Sequence, residues 1–258
     1  MDLGNPRALE LFLEVYGTLP RAGPGSTADT LRALALVPNG EIRSVLDLGC
    51  GPGAQTLVLA EALPEARITA VDLLPQMVEE ARRRMVRHDL DRRVQIEVGD
   101  MIEPRVPEAS RDLIWCEGAI YNAGVTEALK AWKPLLREGG AVAFTEPVWI
   151  HPSPPDELGT WWREEYSAIT DDDGVRAAVA VAGYHTVGSF SLPASSWWDE
   201  YYRPMEARIP EFLEEHPDEP VAREIADEAT REIGMFRRYS GFYSYGFFVV
   251  QPRTADNR

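Results

Sequence analysis

The stretch Val45-Leu46-Asp47-Leu48-Gly49-Cys50-Gly51-Pro52-Gly53 leaves the chain few folds to choose from. A short apolar run ends on an acidic residue, and three alternating glycines follow at once. The next ten residues, Ala54 to Leu63, read as a helix. Strand, tight glycine turn and helix in that order bring bare backbone close to a ligand at the C-terminal edge of a parallel sheet. The N-terminus of the helix adds a favourable dipole for an anionic group of that ligand.

The rest of the chain repeats the alternation. Strands are predicted over 44–48, 68–72, 94–98, 113–116 and 141–145, with helices over 54–63, 75–88 and 126–136. Pro75 suits the first position of its helix, where a missing N–H costs nothing. Five strand signals with intervening helices predict a doubly wound α/β fold. Further strands over 185–192 and 242–250 complete a mostly parallel seven-stranded sheet. Ahead of it, helices over 6–16 and from Ser26 or Thr27 to 37 form an N-terminal cap, closed by a turn at Pro38-Asn39-Gly40. Helices are expected over 157–169 and in the stretch 193–238, inserted before the last strand, and Thr254 to Arg258 are read as a frayed tail. The expected organisation is one domain over 1–258: a cap over 1–40, a binding core over 41–150, and insertions with the last strands over 151–258.

Charge narrows the partners. The 258 residues carry a formal net charge of −16, which would repel a polyanion, so nucleic acid is not expected as a substrate. Two cysteines, Cys50 and Cys116, make neither a disulfide framework nor a metal spacing. No apolar run approaches the roughly 18 residues of a membrane span, and the N-terminus lacks signal-peptide regions, so a cytoplasmic location is expected. The acidic run Asp171-Asp172-Asp173 reads as the start of a helix reaching 182 rather than as a metal site, since carboxylates there need only the dipole; no metal is expected.

Asp47 to Gly53 resembles the first motif of the class I S-adenosylmethionine-dependent methyltransferases almost letter for letter. The dinucleotide fingerprint spaces its glycines G-x-G-x-x-G, whereas here they fall G-x-G-x-G behind an aspartate. Asp72 ends the second strand 19 residues after Gly53, where a carboxylate can take both ribose hydroxyls. Val98-Gly99-Asp100-Met101 resembles the adenine site, Arg111 to Glu117 the fourth-strand motif beside the methionyl part, and Leu135 to Gly140 the turn into the fifth strand. The resemblance covers about 43–147 and implies a Rossmann-like sheet with S-adenosyl-L-methionine as cofactor. It implies a cofactor site of Asp47, Gly49, Cys50, Gly51, Gly53, Asp72, Leu73, Asp100, Met101 and Glu117. Asp47 would orient the loop and approach the amino group, and Tyr16 with Pro20 to Gly25 would close over the cofactor from the other side.

The acceptor side is read from the aromatics beyond the fifth strand. Tyr121, Glu146, Trp149, Trp161, Trp162, Trp197, Trp198 and Tyr201 are expected to line a pocket for an aromatic, apolar or cationic small molecule. Packing of the inserted helices against the sheet would account for the same aromatics equally well. Glu117, Tyr121 and His151 are the candidate catalytic groups, His151 by its pKa range. The signatures of DNA amino- and cytosine-methylating enzymes and of metal-dependent catechol enzymes are absent, and the remainder resembles the group of quinone-biosynthesis C-methyltransferases and other small-molecule enzymes. A non-catalytic binding module of the same fold and an NAD-dependent oxidoreductase are the alternatives. Oxygen, nitrogen and carbon acceptors are not separated, and the oligomeric state stays open, a homodimer among the options.

Overall fold

The computed structural model describes residues 5–38 and 40–253. Strands β1 (Ser44–Leu48), β2 (Arg67–Asp72), β3 (Val94–Val98), β4 (Arg111–Cys116), β5 (Leu136–Trp149), β6 (Thr170–Asp171), β7 (Tyr184–Ser191) and β8 (Tyr243–Pro252) form one sheet. Its order is β3-β2-β1-β4-β5-β8-β7, with β6 paired to the far end of β5. The first five run parallel in space, and β8 lies antiparallel between β5 and β7. This is the Rossmann-like, mostly parallel sheet the sequence predicts, with the two-residue β6 as an eighth strand too short to leave a periodic signal.

Both faces of the sheet are covered, so its central strands read as unbroken apolar runs. Along β4, Leu113 and Trp115 enter one core and Ile114 and Cys116 the other. The first core is closed by α1 (Pro6–Tyr16) and α10 (Pro220–Tyr239), the second by α5 (Val125–Trp132) and α7 (Asp172–Val181). Around them lie α2 (Thr27–Leu34), α3 (Ala54–Ala62), α4 (Pro75–Arg87), α6 (Asp156–Glu165), α8 (Ala194–Trp197) and α9 (Arg203–Glu215). α8 runs through a π-helical turn, Trp198–Tyr202, into α9.

Caps fix several helix starts where the sequence places them. Ser26 accepts from the Asp29 N–H to open α2, and Asp171 accepts from the Gly174 N–H at 2.9 Å to open α7. The acidic run is thus a helix start. Bounds differ where propensity says little. α2 stops at Leu34, three residues before the predicted end, and α6 stops at Glu165 rather than 169. β5 extends from the predicted 141–145 to 136–149 because Leu136 pairs with Arg111 of β4 at one end and β8 pairs with it from Val142 to Trp149 at the other. Asn39 of the predicted turn and the predicted frayed tail lie outside the described residues.

Two glycines of the opening motif are required by space. Gly49 has φ +69°, and a Cβ there would stand 2.4 Å from Ala119 Cβ on the next loop. Gly53 has φ +80°, and its Cβ would meet Ala81 Cβ of α4 at 3.0 Å. Gly49→Ala therefore combines a left-handed backbone with a clash. It should lower the unfolding free energy by about 2–4 kcal/mol in urea denaturation, and a loss under 0.5 kcal/mol would contradict this packing.

Candidate functional site

The C-terminal ends of β1, β2, β3 and β4 open into a cavity of about 660 Å³, within the usual range for small-molecule and cofactor sites. Its floor is the turn between β1 and α3. The Gly49 and Cys50 N–H groups both donate to the Val71 carbonyl at 2.8 and 3.0 Å, tying that turn to β2. Asp72 completes the tie, its Oδ2 accepting from the Gly51 N–H at 2.7 Å and its Oδ1 from the Leu74 N–H at 2.9 Å. Burial raises the Asp72 pKa, and the backbone donors oppose it. A carboxylate has roughly four acceptor positions, so Asp72 retains two for a ligand.

Gly49, Cys50, Gly51, Asp72, Leu73, Asp100, Met101 and Glu117 all line this cavity. Leu73 is 68% exposed, an apolar surface available to a ring. Asp100 accepts from the Ile102 N–H at 2.8 Å, and the Met101 carbonyl accepts from Trp132 Nε1 at 2.7 Å, so both residues are held in place. The other two predicted cofactor residues stand apart from the wall. Asp47 is fully buried, accepting from the Thr56 hydroxyl and from Gln55 Nε2 at 3.5 Å, while Gln55 also donates to the Cys50 carbonyl at 3.2 Å. It braces the loop from beneath, and burial pushes its carboxyl up to about 7. Gly53 serves the packing of α3 on α4.

The opposite wall is Arg21-Ala22-Gly23-Pro24, between α1 and α2. Arg21 was not among the predicted residues, although its segment was. It is buried, donating from Nη1 to Glu117 Oε1 at 2.8 Å and from Nε to Glu200 Oε2 at 2.9 Å. Glu117 also accepts from Thr30 at 3.0 Å and Trp115 Nε1 at 3.1 Å. With every partner inside the protein, Glu117 is a structural anchor at the cavity wall and not a free base.

Ala22, Gly23, Pro24 and Gly118 also line a second cavity, of about 280 Å³. Gly118 is fixed by its N–H donating to Thr145 Oγ1 at 2.7 Å. Tyr121, Trp161, Trp162, Trp197 and Tyr201 line this space as expected, joined by Tyr16, Tyr166, Tyr245, Glu165, Glu228 and Glu232. Three residues expected in it, and the catalytic candidate His151, do not reach it. Trp149 stands edge-on behind Trp162, with ring centroids 6.2 Å apart. Trp198 packs on Phe236 and under the Arg237 guanidinium. His151 lies in the exposed loop beyond β5, its Nδ1 taking the Ser153 N–H at 3.2 Å, so it has no part in this site. Glu146 sits behind Tyr166, whose hydroxyl donates to its Oε1 at 2.6 Å; among the described residues its buried Oε2 has no partner.

Among the described residues, no cation pairs with two carboxyls here to offset their burial. Glu146 is pushed up to about 7, opposed only by the Tyr166 hydroxyl. Glu232 is likewise pushed up to about 7, although Tyr202 donates to its Oε1 at 2.9 Å. Glu228 and Glu232 are four apart on α10 and so share one face, a spacing visible in the sequence. Tyr245 carried no such signal, since the face of β8 is set only by its pairing.

The methyltransferase domain family matches residues 45–140, the span of the glycine turn, Asp72, Asp100 and Glu117. The chain is a class I S-adenosylmethionine-dependent methyltransferase of the small-molecule type. It is 26% identical over 241 residues to 27-O-demethylrifamycin SV methyltransferase of Amycolatopsis mediterranei, covering 90% of this chain and 84% of that one. It is 30% identical over 178 residues to trans-aconitate 2-methyltransferase of Shigella dysenteriae, covering 68% of this chain and 66% of that one. In fold it is similar to a methyltransferase of Geobacter sulfurreducens crystallised with S-adenosyl-L-homocysteine, with TM-score 0.82, 22% identity, and 95% and 98% of the two chains covered. No helix among the described residues is long and apolar enough to cross a membrane.

The raised Glu146 carboxyl gives this methyltransferase a signature in its stability. A folded pKa above the unfolded one means the native state binds the extra proton, so this stabilisation is full below about 4.3 and lost as pH rises through about 7. Relative to Glu146→Gln, the wild type should therefore lose stability between pH 5 and 7, with a slope approaching about 1.4 kcal/mol per pH unit. Parallel denaturation curves for the two proteins across that window would refute the burial of an unpaired carboxyl at this position.

Proposed function

Methyl transfer from S-adenosylmethionine to a small molecule is the reaction; we propose that its acceptor is an aromatic or apolar molecule held in the second cavity. The observation behind this reading is the shared wall. Ala22, Gly23, Pro24 and Gly118 border both the 660 Å³ and the 280 Å³ cavities, so groups held in the two can meet there. On this reading Gly49 to Gly51 take the methionyl end, Asp72 the ribose hydroxyls, and Asp100 with Met101 and Leu73 the adenine. The donor supplies a methyl group on a positively charged sulfur. The chain supplies alignment, and positioning alone can be worth effective molarities of roughly 10^5 M or more.

Where the acceptor atom carries a proton, Tyr166 and Glu146 are the groups to receive it. Tyr166 faces the cavity, and its hydroxyl already donates to Glu146 at 2.6 Å. The bond from sulfur to the methyl carbon breaks as the bond from that carbon to the acceptor forms. The acceptor proton passes to the Tyr166 oxygen as the tyrosine's own proton passes to Glu146. A carboxyl near 7 suits that exchange at neutral pH. The relative that aligns over most of the chain is named for a 27-O position, which favours an oxygen acceptor.

Calorimetry with S-adenosyl-L-homocysteine tests the division between the cavities. Asp72→Ala should weaken binding by about 1.5–3 kcal/mol through loss of a charged hydrogen-bonding group. Trp162→Ala, which alters only the second cavity, should leave that affinity within about two-fold. Unchanged affinity in Asp72→Ala, or equal losses in both variants, would overturn the assignment.

A further inference from the structure

We propose that the acceptor of this methyltransferase carries a positively charged nitrogen, held among the aromatic rings of the second cavity against Glu232. The inference rests on the reading of that cavity as the acceptor's and adds the class of molecule it selects.

Three observations converge on it. The cavity is small and walled by ring faces and edges: Trp161 and Trp162 lie 5.0 Å apart and Tyr201 and Tyr202 4.9 Å apart, centroid to centroid. A cation held within about 6 Å of such a ring's face is attracted by it. Glu232 borders the same space, and its two tyrosine bonds, 2.9 Å from Tyr202 and 3.4 Å from Tyr201, both use Oε1. Among the described residues its Oε2 has no partner, and no ion pair reaches Glu165, Glu228 or Glu232, whereas the buried Glu117 next door is held by Arg21.

Among the side chains of the described residues that line it, the charge is one-sided. Glu165, Glu228 and Glu232 line it with a single guanidinium, that of Arg231, which is exposed and turned to Glu164 at 3.4 Å. A carboxylate ligand would meet like charge in an aromatic enclosure. A neutral one would leave the Glu232 carboxylate desolvated and uncompensated. An ammonium supplies the missing countercharge, and the rings take its alkyl or aryl surface.

The probes are benzyltrimethylammonium, 2-phenylethanol and phenylacetate, similar in size and different in charge, titrated into the protein with and without S-adenosyl-L-homocysteine. The ammonium should bind about ten-fold more tightly than either of the others. Glu232→Gln should remove most of that preference while leaving S-adenosyl-L-homocysteine affinity within about two-fold. Glu228→Gln, which leaves the Tyr201 and Tyr202 hydrogen bonds to Glu232 in place, should shift the preference the same way by a smaller factor. Equal binding of 2-phenylethanol would overturn the charge selection and leave the aromatic acceptor cavity standing. Tighter binding of phenylacetate, or a preference intact in both variants, would overturn the inference outright. Failure of S-adenosyl-L-homocysteine to bind would instead overturn the donor-site assignment, and the comparison without it still decides the charge preference.

Discussion

The ion pair between Arg21 and Glu117 ties the two halves of this molecule together. Arg21 belongs to a loop rich in glycine and proline that has little structure of its own to hold it. Glu117 follows directly on β4 at the middle of the sheet. Their side chains are 5% and 3% exposed, so the pair has left water, and its attraction must offset two desolvation costs. Thr30 and Trp115 share that task by filling the remaining acceptor positions of Glu117. Such a pair is weak evidence for stability, and its service here is to fix one geometry. It sets Ala22 to Pro24 against Gly118, and so it sets the wall on which the proposed transfer depends.

The cofactor half of the site was legible because its constraints restrict residue type at single positions of one turn and one strand end. Gly49 is demanded by its left-handed backbone and by Ala119 beside it, and Asp72 takes the Leu74 N–H two residues on and the Gly51 N–H 21 residues back. A left-handed turn admits glycine and little else, so that pattern survives in the sequence. Asp47 shows where local reasoning overreaches: the motif places it correctly, yet one residue decides between facing the cavity and bracing the loop. The acceptor half depends on how α6 meets α10 and β8, which begin 55 and 78 positions after α6 ends. Trp149 and Trp162 are both large, apolar and close to β5, and only packing decides which one faces the space. His151 drew attention by its pKa range, yet the strand carries it past the site.

Electrostatics separates the two cavities more sharply than shape does. In the first, each carboxylate is held: Asp72 by backbone N–H groups, Glu117 by Arg21, Asp100 by the Ile102 N–H. In and behind the second, Glu146 and Glu232 have no cation paired with them among the described residues and are driven up to about 7 by burial. A protein gains nothing in folding from such carboxyls, since their ionised form is penalised in the native state. Sites that keep them despite this are where functional groups concentrate.

That imbalance bears on the donor as well as the acceptor. On the proposed reading a sulfonium sits close to the shared wall, with Glu146 and Glu232 on the far side and a chain of net charge −16 around them. Negative charge there favours the positive donor before transfer and its neutral product less, so it assists departure of the product more than it assists the methyl shift. The compensating demand falls on the acceptor atom, which must give up its positive charge or its proton as the new bond forms. A carboxyl poised near 7 and reached through the Tyr166 hydroxyl can meet that demand, whereas one held down by an ion pair, as Glu117 is, cannot. The two glutamates that bound the reaction space thus differ in partner rather than in kind, and the partner decides which anchors a loop and which is free to take a proton.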